Sequence, residues 1–283
     1  MSIAGAVVSV TALLSAKSDL TQARGLDKIV ALANLCFAAP LAVFGAEHLS
    51  DARTIMPLVP AYMPWRLFWT YFVGVALIAA SLSIATKIQV RWSGLLFGMM
   101  MLSFEAMLNL PGLYANPHDR FAWAYLFREP AFAGGAWILA GAAMGGGSKP
   151  GKILISIGRL LIASAAIFYG IMHFPHPLGL PGLPLEKQMP AWIPVRPLIG
   201  YLTGAVLLVA GLGILLNRKT RIAATYLGTW IVLLVLVVYG PVLVAALADP
   251  STAVKVGGLN YFFDTLLFGG AILALASAAP HAD

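Results

Sequence analysis

Two histidines are the side chains whose type and spacing first suggest chemistry. Each follows a glycine by three residues near the end of a long apolar run, in Gly45-x-x-His48 and Gly170-x-x-His173. Histidines on facing helices of a bundle can ligate haem iron or another metal. Because each run holds one such histidine, two separate bundles would have to supply the ligands. We therefore favour a histidine hydrogen-bonded to a neighbouring loop over a metal or haem ligand. Contact with a proton or a quinone headgroup is the remaining alternative.

Glu105 is the acidic residue at the greatest predicted depth in the membrane. It lies about 14 residues, or ~20 Å, into a helix that enters from the cytoplasmic side. An ionisable side chain at that depth faces the bundle interior and is a candidate functional group. Glu105 could accept a proton or anchor a ligand. It could equally be neutral and hydrogen-bonded to Asn109, which lies one turn away on the same helix face.

Two arginine–acid pairs have the positions expected of ion pairs between helix starts: Arg66 with Glu129, and Arg196 with Asp264. An acid near a helix N-terminus is favoured by the helix dipole, and an arginine partner offsets the cost of removing the acid from water. We expect each pair to lock the second helix of a four-helix unit to the fourth. The alternative is an anion or headgroup site in which the arginine is available to a ligand.

The composition places these groups in a membrane. Of the 283 residues, 60% are hydrophobic and only 10% are charged, with a mean hydropathy of +0.87. Soluble domains carry about 25% charged residues, so lipid must solvate this chain. The net charge of +7 does not indicate nucleic-acid binding, because the basic residues are dispersed between apolar runs, where they orient the chain. The absence of P-loop, HExxH and GxSxG motifs disfavours an ATPase or a membrane protease. Whether the chain is an enzyme stays open.

Apolar runs of about 20 residues can cross the hydrocarbon core as helices. The sequence contains eight: 28–48, 66–86, 92–111, 124–145, 153–173, 198–216, 222–245 and 257–278. Eight spans put both termini on one side, and eleven of the 18 lysines and arginines fall on that side. The positive-inside rule then predicts an inner-membrane protein with both termini in the cytoplasm. Residues 1–27 are expected to be an N-terminal extension, either an interfacial helix or a mobile segment.

The spans fall into two similar units. The motif Pro60-Ala61-Tyr62-Met63-Pro64-Trp65-Arg66 returns 130 residues later as Pro190-Ala191-Trp192-Ile193-Pro194-Val195-Arg196. The two Gly-x-x-His motifs are 125 residues apart, and Gly134-Gly135 returns at 135 residues as Gly269-Gly270. We predict an all-α integral membrane fold of two four-helix bundles, 28–147 and 153–279. Because each unit has an even number of spans, the two have parallel topology.

The second unit resembles a known family. Gly170-x-x-His173, then Met189-Pro190-Ala191-Trp192-Ile193-Pro194, then Tyr201-x-x-Gly204 resemble the DoxX-like family of small four-helix bacterial membrane proteins, and the internal repeat extends the resemblance to the first unit. The resemblance implies a four-helix bundle associated with membrane redox complexes, since members include a subunit of a thiosulfate:quinone oxidoreductase and a protein of methylamine dehydrogenase maturation. Many relatives carry a glutamate shortly after the glycine of Tyr-x-x-Gly, and both copies here are apolar.

These observations lead to one functional expectation and one alternative. We expect an accessory or quinone-interacting component of a membrane redox system, with lipid and a redox complex as partners. The alternative is a non-enzymatic carrier or scaffold for a lipophilic molecule or a partner complex. No metal site is predicted and haem is disfavoured, so quinone is the candidate cofactor. The residues expected to contact it are Glu105, His48, His173, Arg66, Arg196 and Asn109, with Glu129 and Asp264 in structural ion pairs.

Overall fold

The structure is a computed structural model that describes residues 3–183 and 187–280. The fold is 80% helical, without strands in the described part of the chain. Its nine long helices are α1 Ile3–Gln22, α2 Ala33–Ser50, α3 Arg66–Thr86, α4 Val90–Phe104, α5 Arg120–Ala143, α6 Lys149–His173, α7 Arg196–Leu215, α8 Thr220–Leu234 and α9 Thr252–Ala278. Shorter helical turns occupy Asp27–Val30, Ala52–Ile55 and Met56–Leu58.

Seven helical segments are long and apolar enough to cross a membrane: Asp27–Ser50, Arg66–Thr86, Val90–Ala115, Lys149–His173, Arg196–Leu215, Thr220–Ala248 and Thr252–Ala278. They confirm seven of the eight predicted spans. The eighth, 124–145, falls within α5, which is not among the seven. The charged pair Arg128-Glu129 followed by Pro130 makes this helix less apolar. The eighth span therefore stays a prediction, and the chain is a multi-pass membrane protein by the length and composition of its helices.

Two helices continue through a π-helical segment at matching positions. α4 is followed by Glu105–Asn109 and Leu110–Ala115, and α8 by Val235–Tyr239 and Gly240–Ala248. Pro111 and Pro241 each follow their π segment by one residue. Proline has no N–H and its ring clashes with the carbonyl four residues earlier, so the wider π turn relieves a conflict that a regular α-helix would contain. Such segments often mark functional sites, and here one holds Glu105 and Asn109.

Other backbone features also occur in pairs 130 residues apart. Six non-glycine residues have positive φ, an uncommon conformation. They form three such pairs: Trp65 and Val195, Lys87 and Asn217, Gln89 and Lys219. The first pair precedes α3 and α7, and the other two lie in the short turns before α4 and α8. The two halves of the chain thus share their helix connections as well as their helices.

The helices of the two predicted units are interleaved and do not close into separate bundles. α2 packs against α9, α5 packs extensively against α6, and α5 also packs against α9. Among the described residues, α2 and α5 make no comparable contact, although they would close the first bundle. The first helix of each half therefore lies against the last helix of the other half.

Glycines allow the helices of the two halves to approach closely. A Cβ at Gly134 would lie 2.8 Å from the carbonyl oxygen of Gly158 in α6, and one at Gly270 would lie 2.7 Å from the backbone nitrogen of Phe37 in α2. Small residues permit such contacts between membrane helices. The result is a central layer: 72% of the apolar window of α9 is buried, against 28% for α4 and its continuation. α3 and α4 lie at the periphery, where they enclose the cavity described below.

Candidate functional site

A buried ionic network joins the two halves of the chain. Arg128 of α5 donates to Glu129 Oε1 from Nη2 at 2.7 Å and to Asp264 Oδ2 of α9 from Nη1 at 2.9 Å. Only 22% of the Arg128 side chain is exposed, and the two acids are 11% and 12% exposed. The guanidinium group also lies 4.8 Å from the centroid of the Tyr125 ring. A single arginine therefore neutralises one acid from each half.

The predicted partners of these acids were wrong. Arg66 donates to the backbone carbonyls of Val59 and Pro57, both at 2.8 Å, and Arg196 donates to the carbonyl of Met189 at 3.2 Å. At the first position of its helix, each arginine reaches back to the loop before it. The sequence repeat concealed the true partner, because the position matching Arg128 in the second half is Phe263. The useful signal was the lack of a basic neighbour beside Asp264.

Glu105 and Asn109 extend the network along α5. The Asn109 amide donates from Nδ2 to Glu105 Oε2 at 2.9 Å and to Glu129 Oε2 at 3.1 Å. The predicted contact between Glu105 and Asn109 is therefore present, and Asn109 also connects Glu105 to the ionic network. Glu105 is 6% exposed, and no described residue hydrogen-bonds to its buried Oε1 atom. An unpaired buried acceptor costs about 1–3 kcal/mol, so this atom is a candidate for functional contact.

The two histidines begin with the same local bond and then differ. Nδ1 of His48 lies 2.8 Å from the carbonyl oxygen of Phe44, and Nδ1 of His173 lies 2.6 Å from that of Tyr169. A carbonyl only accepts, so each Nδ1 carries the proton and donates. Nε2 of the neutral ring is then an acceptor, and for His173 it accepts from the Gly182 N–H at 3.0 Å. His173 is thus bonded to the proline-rich loop, as favoured from the sequence.

A cavity of about 900 Å³ lies between α3 and α4. Most of its wall is apolar, and it extends from Gln89 at one end of these helices to Pro60 in the loop near the other end. Its lining includes Phe72, Leu96 and Met99, which are more than half exposed. The cavity therefore opens sideways between α3 and α4, on a surface that hydrocarbon would cover in a membrane.

Three polar side chains at one end of this cavity provide recognition groups. Arg128, His48 and Trp69 lie on its wall. Arg128 has five N–H groups and uses three of them in its bonds to the two acids. Trp69 has a buried indole N–H without a hydrogen-bond acceptor among the described residues. Of the predicted cofactor residues, only His48 lines the cavity. Glu105 and Asn109 reach it through Glu129 and Arg128, whereas His173, Arg66 and Arg196 bind loop backbone.

The matching region of the second half is filled. Ala76, Ala79 and Met100 line the cavity, and the residues 130 positions later are Val206, Val209 and Trp230. The Trp230 indole donates to Thr203 Oγ1 at 3.2 Å and so bridges α7 and α8. The loop after α6 also packs inward, which buries Leu180, Leu183 and Met189. Larger side chains and a longer loop thus replace the open space found in the first half.

Two further expectations concern histidine and metal. His176 is exposed in the loop after α6, and slight burial together with the positive charge of Arg120 lowers its pKa. Among the described residues, no three histidine, cysteine, aspartate or glutamate side chains are grouped so that they could hold a metal ion.

The fold and the site define a multi-pass α-helical membrane protein with an internal apolar cavity beside a buried ionic network. No protein-family model, curated protein or solved structure matches the chain.

Proposed function

We propose that the chain is an inner-membrane protein of two fused DoxX-like units, with both termini in the cytoplasm, that binds a quinone as an accessory component of a membrane redox system. The cavity between α3 and α4 is the observation that carries the proposal. Its volume of about 900 Å³ falls at the upper end of the range for small-molecule sites, which is roughly 300–1,000 Å³. The repeated motifs and their resemblance to a family with redox-associated members support the same function.

The two regions of the cavity match the two parts of a quinone. The apolar wall suits an isoprenoid or alkyl tail, and the opening toward lipid offers a route of entry from the bilayer. At the other end, the N–H groups of Arg128 and Trp69 can donate to carbonyl oxygens. Because donors in a water-poor site lack competition from solvent, two such bonds orient the headgroup strongly.

The test is quinone binding by the full chain in lipid nanodiscs. We use decylubiquinone as the probe and measure its dissociation constant by isothermal titration calorimetry. Ala76→Phe places a phenyl ring in the cavity, and we expect at least a tenfold loss of affinity, which corresponds to about 1.4 kcal/mol. Val75→Phe is the matched control, since Val75 is 58% exposed and does not line the cavity. Equal loss in both variants, or no binding by the wild type, would refute the proposal.

A carrier of the same lipophilic molecule is the second candidate. The length of the cavity favours it, because the lining includes Gln89 at one end of α4 and Pro60 in the loop beyond the start of α3. A carrier should move a fluorescent short-chain quinone analogue between the leaflets of proteoliposomes, and Ala76→Phe should slow that movement. Transfer no faster than in protein-free liposomes would leave the binding role alone.

A further inference from the structure

One peptide of the second half satisfies two polar side chains of the bundle. The Gly182 N–H donates to Nε2 of His173 at 3.0 Å, and the Tyr239 hydroxyl donates to the carbonyl of Pro181 at 2.8 Å. Both side chains are buried, His173 at 3% exposure and Tyr239 at 0%. The Pro181–Gly182 peptide thus acts as a built-in occupant of the space beside the histidine.

This peptide reaches its position because the second loop is longer. Seventeen residues lead from His173 to Pro190, whereas twelve lead from His48 to Pro60. A β-bridge between Gly179 and Gln188 closes the base of the extra loop. Gly182 has a φ of +102°, a conformation that favours glycine, and this allows the chain to turn beside the histidine.

The first half lacks this occupant, and its histidine faces the cavity. His48 makes the same bond from Nδ1 to a carbonyl four residues earlier, so its Nε2 is also an acceptor. No described residue donates to that Nε2, and His48 lines the cavity. The counterpart of Tyr239 is Asn109, which already donates to Glu105 and Glu129. A ligand therefore needs to replace only the donor function of the peptide.

We propose that the ligand of the cavity carries a hydroxyl group that donates a hydrogen bond to His48 Nε2, as the Gly182 N–H does to His173. This inference rests on the proposed function and specifies the form of the ligand. A quinol has such a hydroxyl and a quinone does not. The cavity therefore selects the reduced form, while Arg128 and Trp69 donate to oxygen in either form. Other amphiphiles with a terminal hydroxyl share the same chemistry.

The experiment compares three probes of almost equal shape under anaerobic conditions. Decylubiquinol, decylubiquinone and the dimethyl ether of decylubiquinol are titrated into the full chain in nanodiscs. The ether keeps the reduced ring but has no hydroxyl donor. One added hydrogen bond to a buried acceptor gives up to about a tenfold gain in affinity. We expect the quinol to bind about tenfold more tightly than the other two probes.

Variants of the two histidines separate ligand recognition from folding. In His48→Phe, we expect the quinol and the quinone to bind with affinities within a factor of about two, because the acceptor is lost. His48→Gln, which keeps an acceptor oxygen, should retain part of the preference. His173→Phe is the matched control and should leave the wild-type ratio unchanged.

The possible results distinguish this inference from the proposed function. Equal binding of the three probes by the wild type would overturn the inference and leave quinone binding intact. Loss of the quinol preference in His173→Phe but not in His48→Phe would also overturn it. Binding of none of the probes would overturn both proposals.

Discussion

Replacement of Arg128 by methionine removes the cation that Glu129 and Asp264 share, while keeping an unbranched side chain. The two acids are 11% and 12% exposed, so water offers little compensation. Removal of one partner from a buried ion pair costs about 3–5 kcal/mol, because a charge is left without its counterion. For a chain of this size, such a loss lowers the melting temperature by about 10 °C.

Cys36 supplies a direct assay of this effect. It is the sole cysteine of the chain, it is 6% exposed, and it lies where α2 meets Gly270 of α9. A fluorogenic maleimide therefore reacts with it only when the helices separate, and the reaction during a temperature ramp reports unfolding. Arg53→Met is the matched control, since Arg53 is exposed and has no ion pair among the described residues. We expect its melting temperature to stay within about 2 °C of the wild type.

A compensating variant provides the decisive comparison. Arg128→Met combined with Glu129→Gln and Asp264→Asn removes both the cation and the two charges it neutralises. Because neutral replacement of a whole buried ionic group is often close to neutral in stability, the triple variant should recover most of the lost melting temperature. If Arg128→Met melts like the wild type, or if the triple variant is less stable than Arg128→Met, the argument that buried charge stabilises the junction of the halves is refuted.

Two further predictions use the same assay. Gly270→Ala should lower the melting temperature by several degrees, since its Cβ would lie 2.7 Å from the Phe37 backbone nitrogen; Gly257→Ala in the same helix, with nothing within 4 Å, should not lower it. Equal effects would disprove the close-packing argument. His173→Phe should cost about 1–3 kcal/mol, because the Gly182 N–H loses its acceptor in a buried position; a melting temperature equal to that of His48→Phe would contradict this.

The two halves use equivalent positions for different ends. In the second half, Trp230, a longer loop and His173 fill and fasten the interior. In the first half, the matching positions hold smaller side chains around a cavity that His48 and Arg128 border. Glu105 and Asn109, whose counterparts are Val235 and Tyr239, add polar groups on this side only. The division explains why one half supplies rigidity and the other supplies a binding site.

Local features of this protein could be read from its sequence. The run 66–86 matches α3, Arg66–Thr86, because the length of an apolar segment and the prolines before it define a membrane helix. The contact of Glu105 with Asn109 followed from their four-residue spacing on one helix face. Both inferences depend only on residues close together in the chain, whose relative positions the helix itself determines.

Tertiary structure alone decided which distant groups meet. Arg128 pairs with Asp264, 136 residues away, and this depends on the packing of α5 against α9, which no local pattern encodes. The interleaving of the helices follows from glycine contacts between the halves. The cavity arises from differences of a few side-chain volumes between equivalent helices. Repetition in a sequence shows what the halves have in common, whereas partners and open spaces arise from the positions at which they differ.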